Sequence, residues 1–267
     1  HLSRYPSAIK RFFRLRIERM LCRLQDVTIA VSQSDYDAIL SYRLADEKSL
    51  VLIPNGVSIS DKTVVQSEKA VDELRQLGID LDRHDIVISV GALEPVKGFD
   101  FLIESMHRIV QNQSDTRLRI VVLGEGVERR RLERQIKTLG LINHVFLVGR
   151  KDNCQGWLSL ASIYLCCSHY EGLPYSVLEA MSMGLPVIAL DVPGCRDLVR
   201  DGETGLLAPF GDCEAFVSAV QAVRENEDLR ARLGEGGRDL VIKTYSLQGA
   251  LDKLRGAYGR AGFSRLL

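Results

Sequence analysis

The chain has 267 residues, so its length allows one large domain or two modest ones. Hydrophobic residues make up 46% and charged residues 26% of the sequence, which excludes collagen-like, disordered and coiled-coil proteins. The 35 basic and 35 acidic side chains cancel overall, but residues 1–24 hold seven basic residues against one acidic residue. We therefore expect this first segment to meet an anionic surface, either a membrane or the acidic face of a partner.

The six cysteines show neither a Cys-x-x-Cys pair nor a zinc-like spacing with the five histidines. We therefore expect reduced thiols, a cytoplasmic location and no metal site. The first apolar run is interrupted by arginines, so no signal peptide is expected. The longest uncharged stretch, 153–170, is interrupted by small and polar residues, and it predicts a helix followed by a buried strand rather than a membrane span.

Short aliphatic runs alternate with amphipathic segments along the chain. The runs predict strands at 27–31, 50–53, 86–90, 118–123, 144–148, 163–167 and 186–190. The amphipathic segments predict helices near 34–45, 99–112, 127–140, 154–161 and 174–183. Continuously hydrophobic runs are typical of strands that helices cover on both faces. The alternation therefore predicts an α/β fold with a Rossmann-like, doubly wound parallel sheet.

Composition also suggests how the chain is divided. The polar segment 54–62 contains a Pro-Asn-Gly break and is interpreted as a linker. Residues 1–56 have room for too few elements to form an α/β domain, so we interpret them as the remnant of one. Residues 57–245 hold enough elements for a complete domain. The last segment, 246–267, starts with a serine cap and predicts a final helix.

Ligands of open parallel sheets bind at the carboxyl ends of the strands, which directs attention to the loops that follow them. The loop 91–98 places Lys97 at such a strand end. Lys97 could be an ordinary solvated lysine, but this position favours a role in binding phosphate. Gly124-Glu125-Gly126 is not a dinucleotide fingerprint, because Arg129 stands at the third glycine position. His169 could act as an acid or base, but we favour the interpretation of a loop residue that forms hydrogen bonds.

The segment 171–179 holds the strongest group of candidates. Gly172 lets the backbone approach a ligand, and Pro174 suits the first position of a helix whose free N–H groups favour a phosphate. Glu179 lies one to two turns inside that helix and could accept two hydrogen bonds from a diol such as ribose. A solvated surface carboxylate is the alternative for Glu179, although its apolar neighbours favour a functional role.

This segment resembles the Glu-x7-Glu signature of the retaining glycosyltransferases of family 4, which have the two-domain GT-B fold. The resemblance extends over nearly the whole chain from Val27 onward, and its motifs are specific when they occur together and in order. Besides 171–179, the matching motifs are the loop 91–98, the glycines at 124 and 126, the segments 184–188 and 193–194, and a hairpin at 201–207. The resemblance implies that 57–245 binds a nucleotide sugar and that 1–56 belongs to an acceptor-binding domain.

The resemblance also implies residue roles. Glu171 would contact donor-sugar hydroxyls near the anomeric centre, Glu179 the ribose and Lys97 the diphosphate, so Glu171 and Lys97 are the expected catalytic residues. Further expected binding residues are Gly91, Gly124, Gly126, Arg150, Gly172, Leu173, Pro174 and Tyr175. The chemistry agrees, because cleavage of a sugar–phosphate bond leaves a nucleoside diphosphate whose charge Lys97 and the helix start would stabilise.

One position departs from the family pattern. Relatives usually have an arginine after the glycine that corresponds to Gly91, whereas this chain has Ala92. Lys97 would then act on the diphosphate with the helix dipole alone, or another cation would replace the arginine. No cofactor and no metal are expected, and the co-substrate is expected to be a nucleotide diphosphate sugar with UDP as its nucleotide.

The sequence therefore predicts the donor-binding half of a retaining glycosyltransferase in bacterial-type polysaccharide or glycolipid assembly, inactive without the other half. One alternative is a non-catalytic nucleotide-sugar-binding module that works with a separate chain. Another is a nucleotide-sugar epimerase, which the 171–179 pattern disfavours. The basic opening favours a lipid-linked acceptor and contact of residues 4–23 with the inner membrane face, with a solvated helix face as the alternative. Nucleic acid is not an expected partner.

Overall fold

The computed structural model describes residues 8–59, 67–113 and 117–262, which form helices around two parallel sheets. The strands are β1 Thr28–Ala30, β2 Leu50–Leu52, β3 Asp85–Val90, β4 Leu118–Leu123, β5 Val145–Gly149, β6 Ile163–Cys166, β7 Val187–Leu190 and β8 Gly205–Ala208. The helices are α1 Ala8–Arg23, α2 Gln33–Ser41, α3 Glu68–Gln76, α4 Phe99–Gln113, α5 Arg129–Thr138, α6 Cys154–Leu158, α7 Tyr175–Ser182, α8 Pro193–Arg196, α9 Cys213–Glu225, α10 Glu227–Thr244 and α11 Leu247–Arg260.

The larger sheet has the order β5-β4-β3-β6-β7-β8, and every neighbouring pair in it is parallel. From β3 the chain moves outward through β4 and β5, then returns to the other side of β3 and continues through β6, β7 and β8. The winding direction thus reverses between β3 and β6, which pair through Val87 and Ile163. Such a reversal opens a crevice at the carboxyl ends of the two strands, because their connections leave toward opposite sides.

Both faces of this sheet are covered by helices, as continuously apolar strands require. On one face, Ile86 and Ile88 pack with side chains from α3, α6, α7 and α10. On the other face, Val87 packs with side chains from α4, α5 and α9. The alternation along a single strand shows that each face has its own buried core. The expected fold class, a Rossmann-like doubly wound parallel sheet, is confirmed.

The predicted hairpin at 201–207 is wrong. The turn there is real, since the N–H of Gly202 donates to the carbonyl of Gly205, but the strand that follows it pairs in parallel with β7. The chain reaches β8 through α8, which supplies the crossover that a parallel connection needs. An Asp-Gly turn next to apolar residues is also typical of hairpins, and local sequence alone does not distinguish the two.

The predicted helix at 34–45 is shorter in the structure, where α2 ends at Ser41. Arg43 adopts the left-handed conformation with φ of 52°, which stops the helix. The predicted linker is bound to the C-terminal part of the chain at Val57, which exchanges backbone hydrogen bonds with Tyr245 and Leu247 at 2.9 Å. Its residues 60–62 lie outside the described residues, and the domain boundaries at 56 and 245 stay predictions.

Helix α1 belongs to the basic segment 4–23, of which residues 4–7 lie outside the described ranges. Its exposed apolar side chains are those of Phe12, Phe13, Ile17, Met20 and Leu21. Arg19 donates hydrogen bonds to the carbonyls of Tyr42 and Arg43, each at 2.9 Å, so one arginine of the segment is bound within the protein. Among the described helices, none has the length and apolarity needed to cross a membrane.

The carboxylate of Asp197 links helix α2 to helix α8. Both oxygens of Asp197, at the end of α8, accept hydrogen bonds of 3.0 Å from Ser34, one from its N–H and one from its hydroxyl. Ser34 lies in the first turn of α2, where a backbone N–H has no partner within the helix. A carboxylate at this point is favoured by the helix dipole as well.

We expect Asp197→Ala to lower the free energy of unfolding by about 1–3 kcal/mol, because it leaves the N–H of Ser34 without its charged acceptor. Urea denaturation monitored by circular dichroism would measure the change. Asp191→Ala is the matched control. Asp191 pairs with Arg196 at 2.7 Å in an exposed salt bridge, whose loss is expected to cost only about 0–1 kcal/mol. Equal losses for the two variants would contradict the role of Asp197.

Candidate functional site

Lys97 and Glu171 meet at the crevice between β3 and β6. Lys97 ends a short 3-10 turn, Pro95–Lys97, in the loop after β3, and Glu171 lies in the loop after β6. The Nζ of Lys97 is 2.7 Å from Oε1 of Glu171, and the side chains are 25% and 11% exposed respectively. The two expected catalytic residues, which are 74 positions apart in the chain, are thus brought into direct contact.

Gly98 is what allows this approach. It has a φ of 66°, and a Cβ at this position would lie 2.0 Å from the carbonyl oxygen of Cys167. Only a residue without a side chain lets the loop after β3 pack directly on the end of β6. The N–H of His169 also donates to the carbonyl of Val96 at 2.8 Å. Backbone contacts therefore place Lys97 against the loop of Glu171.

Ser168 is a residue of this site that the sequence reasoning missed. Its hydroxyl donates to Oε1 of Glu171 at 2.6 Å, the same oxygen that Lys97 binds. Ser168 is buried, and it lies two residues after the end of β6, at the carboxyl-terminal edge of the sheet. The available signal was its position, since Ser168 comes directly after the predicted strand 163–167, where ligand-binding loops of such sheets begin.

The glycines after β4 have a packing role that the sequence did not indicate. A Cβ on Gly124 would lie 1.8 Å from the carbonyl oxygen of Gly91, and one on Gly126 would lie 2.4 Å from that of Leu93. The loops after β3 and β4 are therefore in backbone contact. Gly91 is less constrained, because its Cβ would meet side chains at ordinary contact distances, the flexible stem of Lys97 at 3.4 Å and the ring of Phe99 at 3.5 Å. Approach of Gly91, Gly124 and Gly126 to a nucleotide stays a prediction.

The segment 172–175 leads into α7, and the structure corrects one detail of it. Pro174 is the residue before the helix and not its first residue, because its ψ of 117° is extended. Its carbonyl accepts the first helical hydrogen bond, from Leu178 at 3.2 Å, so α7 begins at Tyr175. Pro174 has no capping side chain, so the N–H groups of the first turn, including that of the exposed Tyr175, have no side-chain partner from the cap.

Two residues outside the predicted set hold this segment in place. The side-chain amide of Asn55 donates to the carbonyl of Leu173 at 2.8 Å. A Cβ on Gly194 would lie 2.3 Å from the carbonyl oxygen of Gly172 and 2.5 Å from that of Glu171, so α8 supports the loop from behind. The sequence reasoning placed the segment 54–62 in a linker and therefore gave Asn55 no role.

Glu179 is half-buried in α7, and burial raises the pKa of its carboxyl group. Burial also raises the pKa of the Cys154 thiol, and the charge of Glu179 adds to this rise while that of Arg150 opposes it. Arg150 is exposed directly after β5, and its charge and that of Glu179 act on the same thiol at this edge of the sheet. A partly desolvated carboxylate is suited to accept hydrogen bonds from a ligand.

Lys151, which follows Arg150, is held within the protein. Its ammonium group pairs with the carboxylate of Glu73 and lies 5.1 Å from the centre of the Trp157 ring. Arg150 is therefore the cation of the 149–151 loop that stays exposed. Ala92 is exposed as well, and Lys97 supplies the positive charge of the 91–98 loop.

Comparison with known proteins identifies the family. The family model of the glycosyl transferases group 1 matches residues 72–240, which include the six-stranded sheet and the site described above. This match covers more than half of the chain, and the chain belongs to the glycosyl transferases group 1.

Individual relatives agree with this assignment. The chain is 32% identical over 184 residues to the alpha-D-kanosaminyltransferase of Streptomyces kanamyceticus, covering 68% of this chain and 47% of that protein. It is 30% identical over 167 residues to the lipopolysaccharide core biosynthesis glycosyltransferase LpsE of Rhizobium meliloti, covering 62% and 47%. The chain thus spans about half the length of the curated relatives it matches.

Solved structures show the same fold. HepE of Anabaena in complex with UDP and glucose superimposes with a TM-score of 0.80 at 21% identity, covering 92% of this chain and 66% of that one. The match is a likeness of fold. It agrees with the expected GT-B type of architecture.

We expect Glu179→Gln to stabilise the fold at pH 7. Burial raises the folded-state pKa, so ionisation of Glu179 is less favourable in the folded than in the unfolded chain, and folding carries a penalty above the folded-state pKa. This penalty disappears as the pH falls below the unfolded value of about 4.3. The gain in melting temperature of the variant should therefore shrink between pH 7 and pH 4.

Glu235→Gln is the control, because Glu235 is an exposed glutamate within helix α10. It should give no such pH-dependent gain in thermal melts recorded across the same pH range. A stabilisation by Glu179→Gln that does not change with pH would show that the burial of the charge is not its cause.

Proposed function

We propose that the chain is the donor-binding part of a retaining glycosyltransferase, which moves a sugar from a UDP-sugar to an acceptor. The observation that carries the proposal is the contact of Lys97 with Glu171 at 2.7 Å, in the crevice where the winding of the sheet reverses. Crevices of this kind are the ligand sites of doubly wound folds. The start of α7 and the half-buried Glu179 lie along the same segment.

In the proposed reaction Lys97 and the N–H groups at the start of α7 stabilise the diphosphate as its bond to the sugar breaks. Positive charge and aligned N–H dipoles are most effective where negative charge develops, in a site that excludes water. Glu171 accepts hydrogen bonds from hydroxyls of the donor sugar, and Glu179 accepts them from the ribose. The chemistry needs no cofactor, because the nucleoside diphosphate is itself the leaving group.

The choice of UDP is supported by HepE, whose fold this chain shares and whose structure contains UDP and glucose. A role in polysaccharide or glycolipid assembly is supported by the similarity to LpsE. We extend the proposal to a lipid-linked acceptor and a cytoplasmic location at the membrane face. Contact of the segment 4–23 with that membrane stays a prediction.

We expect Glu171→Gln and Glu179→Gln to affect nucleotide binding differently. Glu179→Gln should weaken UDP about tenfold or more, because it replaces a charged acceptor for the ribose hydroxyls by a neutral one. Glu171→Gln should not weaken UDP, because it removes the carboxylate that competes with phosphate for Lys97. Lys97→Ala should nearly abolish UDP binding, because the loop 91–98 has Ala92 where a second cation would stand.

Isothermal titration calorimetry with UDP would measure the three affinities. Ala92→Arg is the complementary variant and should strengthen UDP binding by adding a charge-assisted contact. Equal losses for the two glutamate variants would contradict the roles assigned to them. A mild effect of Lys97→Ala would show that another cation, such as Arg150, binds the diphosphate.

We further expect the 267-residue chain to bind UDP but to transfer no sugar by itself. Transfer requires an acceptor held in line with the anomeric carbon, and positioning of this kind lowers barriers by roughly 7–11 kcal/mol. The assay combines radiolabelled UDP-sugars with a membrane lipid extract, with the chain alone and after addition of the acceptor-binding part of a relative.

Transfer of sugar by the chain alone would contradict the expectation that this chain binds UDP without transferring sugar. UDP binding with no transfer under either condition would favour the non-catalytic module. Conversion of the UDP-sugar to an epimer without acceptor would favour an epimerase.

A further inference from the structure

The carboxylate of Glu171 is bound by two side chains at a single oxygen. Oε1 accepts from Lys97 Nζ at 2.7 Å and from the hydroxyl of Ser168 at 2.6 Å. These are the side-chain bonds of Glu171 within the described residues, and they leave Oε2 as the oxygen that can accept from a ligand hydroxyl. The two donors differ in kind, because one is a cation on a flexible stem and the other is a short neutral side chain.

The hydroxyl of Ser168 is oriented by groups beneath it. The thiol of Cys166 donates to Ser168 Oγ at 3.8 Å, and the Sγ atoms of Cys166 and Cys195 are 3.6 Å apart. Ser168, Cys166 and Cys195 are all buried. An ionised carboxylate only accepts, so the single hydroxyl proton of Ser168 is donated to Glu171 and the serine oxygen remains available to accept from the thiol. Ser168 therefore holds the carboxylate from the protein interior, packed on buried groups at the end of β6.

We propose that Ser168 is a positioning residue for the donor sugar, which keeps Glu171 in place when Lys97 turns from the carboxylate to the diphosphate. This proposal rests on the proposed function. A diphosphate carries more negative charge than one carboxylate, so it draws the mobile ammonium group of Lys97 away from Glu171. Ser168 is neutral and buried and does not follow, and its bond then fixes which oxygen of Glu171 meets the sugar hydroxyls.

A positioning role and a purely structural role of Ser168 have different consequences. A serine that only supports the fold would affect the binding of UDP and of a UDP-sugar to the same extent. A serine that positions Glu171 affects the contribution of the sugar and leaves that of the nucleotide unchanged, because the nucleotide is bound by Lys97 and Glu179. The ratio of the two dissociation constants is therefore the quantity to measure.

The experiment uses calorimetry on the 267-residue chain with UDP, UDP-glucose, UDP-galactose and UDP-N-acetylglucosamine. For Ser168→Ala we expect the affinity for UDP to stay within about twofold of the wild type, and that for the tightest UDP-sugar to fall about tenfold, as for a lost hydrogen bond to a charged group. Ser168→Thr retains the hydroxyl and should restore most of the sugar-dependent affinity.

Two controls keep the test decisive. Ser89→Ala removes another buried serine hydroxyl, which donates to the carbonyl of Leu165 at 2.8 Å, and it should leave the ratio unchanged. In a Glu171→Ala background, Ser168→Ala should have no further effect on the ratio, because Ser168 acts through Glu171. This comparison remains valid if the threonine is too large for the buried position.

The outcomes separate this proposal from the proposed function. A wild-type chain that does not bind UDP overturns the proposed function, and this proposal with it. If UDP binds, any of three results overturns this proposal alone. The first is that Ser168→Ala weakens UDP and the UDP-sugars equally, and the second is that Ser168→Ala changes the ratio further in the Glu171→Ala background. The third is that the wild type binds UDP and every UDP-sugar with the same affinity.

Discussion

The parallel pairing of β3 with β6 is the constraint on which the site depends. These strands are neighbours in the sheet although about seventy residues separate them in the chain, and β4 and β5 lie on the other side of β3. Their carboxyl ends therefore deliver two loops from distant parts of the sequence to one crevice. Lys97 comes with the first loop and Glu171 with the second, so their contact is a direct consequence of the strand order.

Once the strands are in place, backbone contacts set how closely the loops approach each other. Gly98 lies against the carbonyl of Cys167, Gly124 against that of Gly91, and Gly194 against those of Gly172 and Glu171. Each contact joins main chain to main chain at a distance that excludes even a methyl group. Such contacts leave little freedom for adjustment, because a main-chain shift must move a whole loop. The backbone contacts thereby bring the loops of Lys97 and Glu171 together, and the flexible stem of Lys97 lets its ammonium group move within the crevice.

The sequence was sufficient for the sheet and for the charged members of the site. Continuous apolar runs identified the strands of the large sheet up to β7, and the loops after them contained Lys97 and Glu171. It was not sufficient for β8, because the turn before this edge strand has the residues of a hairpin and the parallel partner is decided by the crossover through α8. Local propensity gives the turn, whereas the direction of the strand depends on tertiary packing.

The supporting residues of the site were beyond sequence reasoning for a different reason. Ser168 and Asn55 are small polar residues, and their types are equally common in loops that bind nothing. What distinguishes them is the atom that each one meets, Oε1 of Glu171 for Ser168 and the carbonyl of Leu173 for Asn55. Partners that lie 118 positions apart, as Asn55 and Leu173 do, are known only once the chain is folded.

The contact of Asn55 also bears on the electrostatics of the site. A carbonyl next to the start of α7 would repel an anion, since its oxygen carries partial negative charge. The side-chain amide of Asn55 donates a hydrogen bond to the carbonyl of Leu173. The negative end of that carbonyl dipole therefore points to Asn55. Asp197 joins α2 to α8 through Ser34. The chain up to Asn55 is thus connected to both sides of the loop that holds Glu171, and a displacement of this part of the chain would reach the loop through hydrogen bonds.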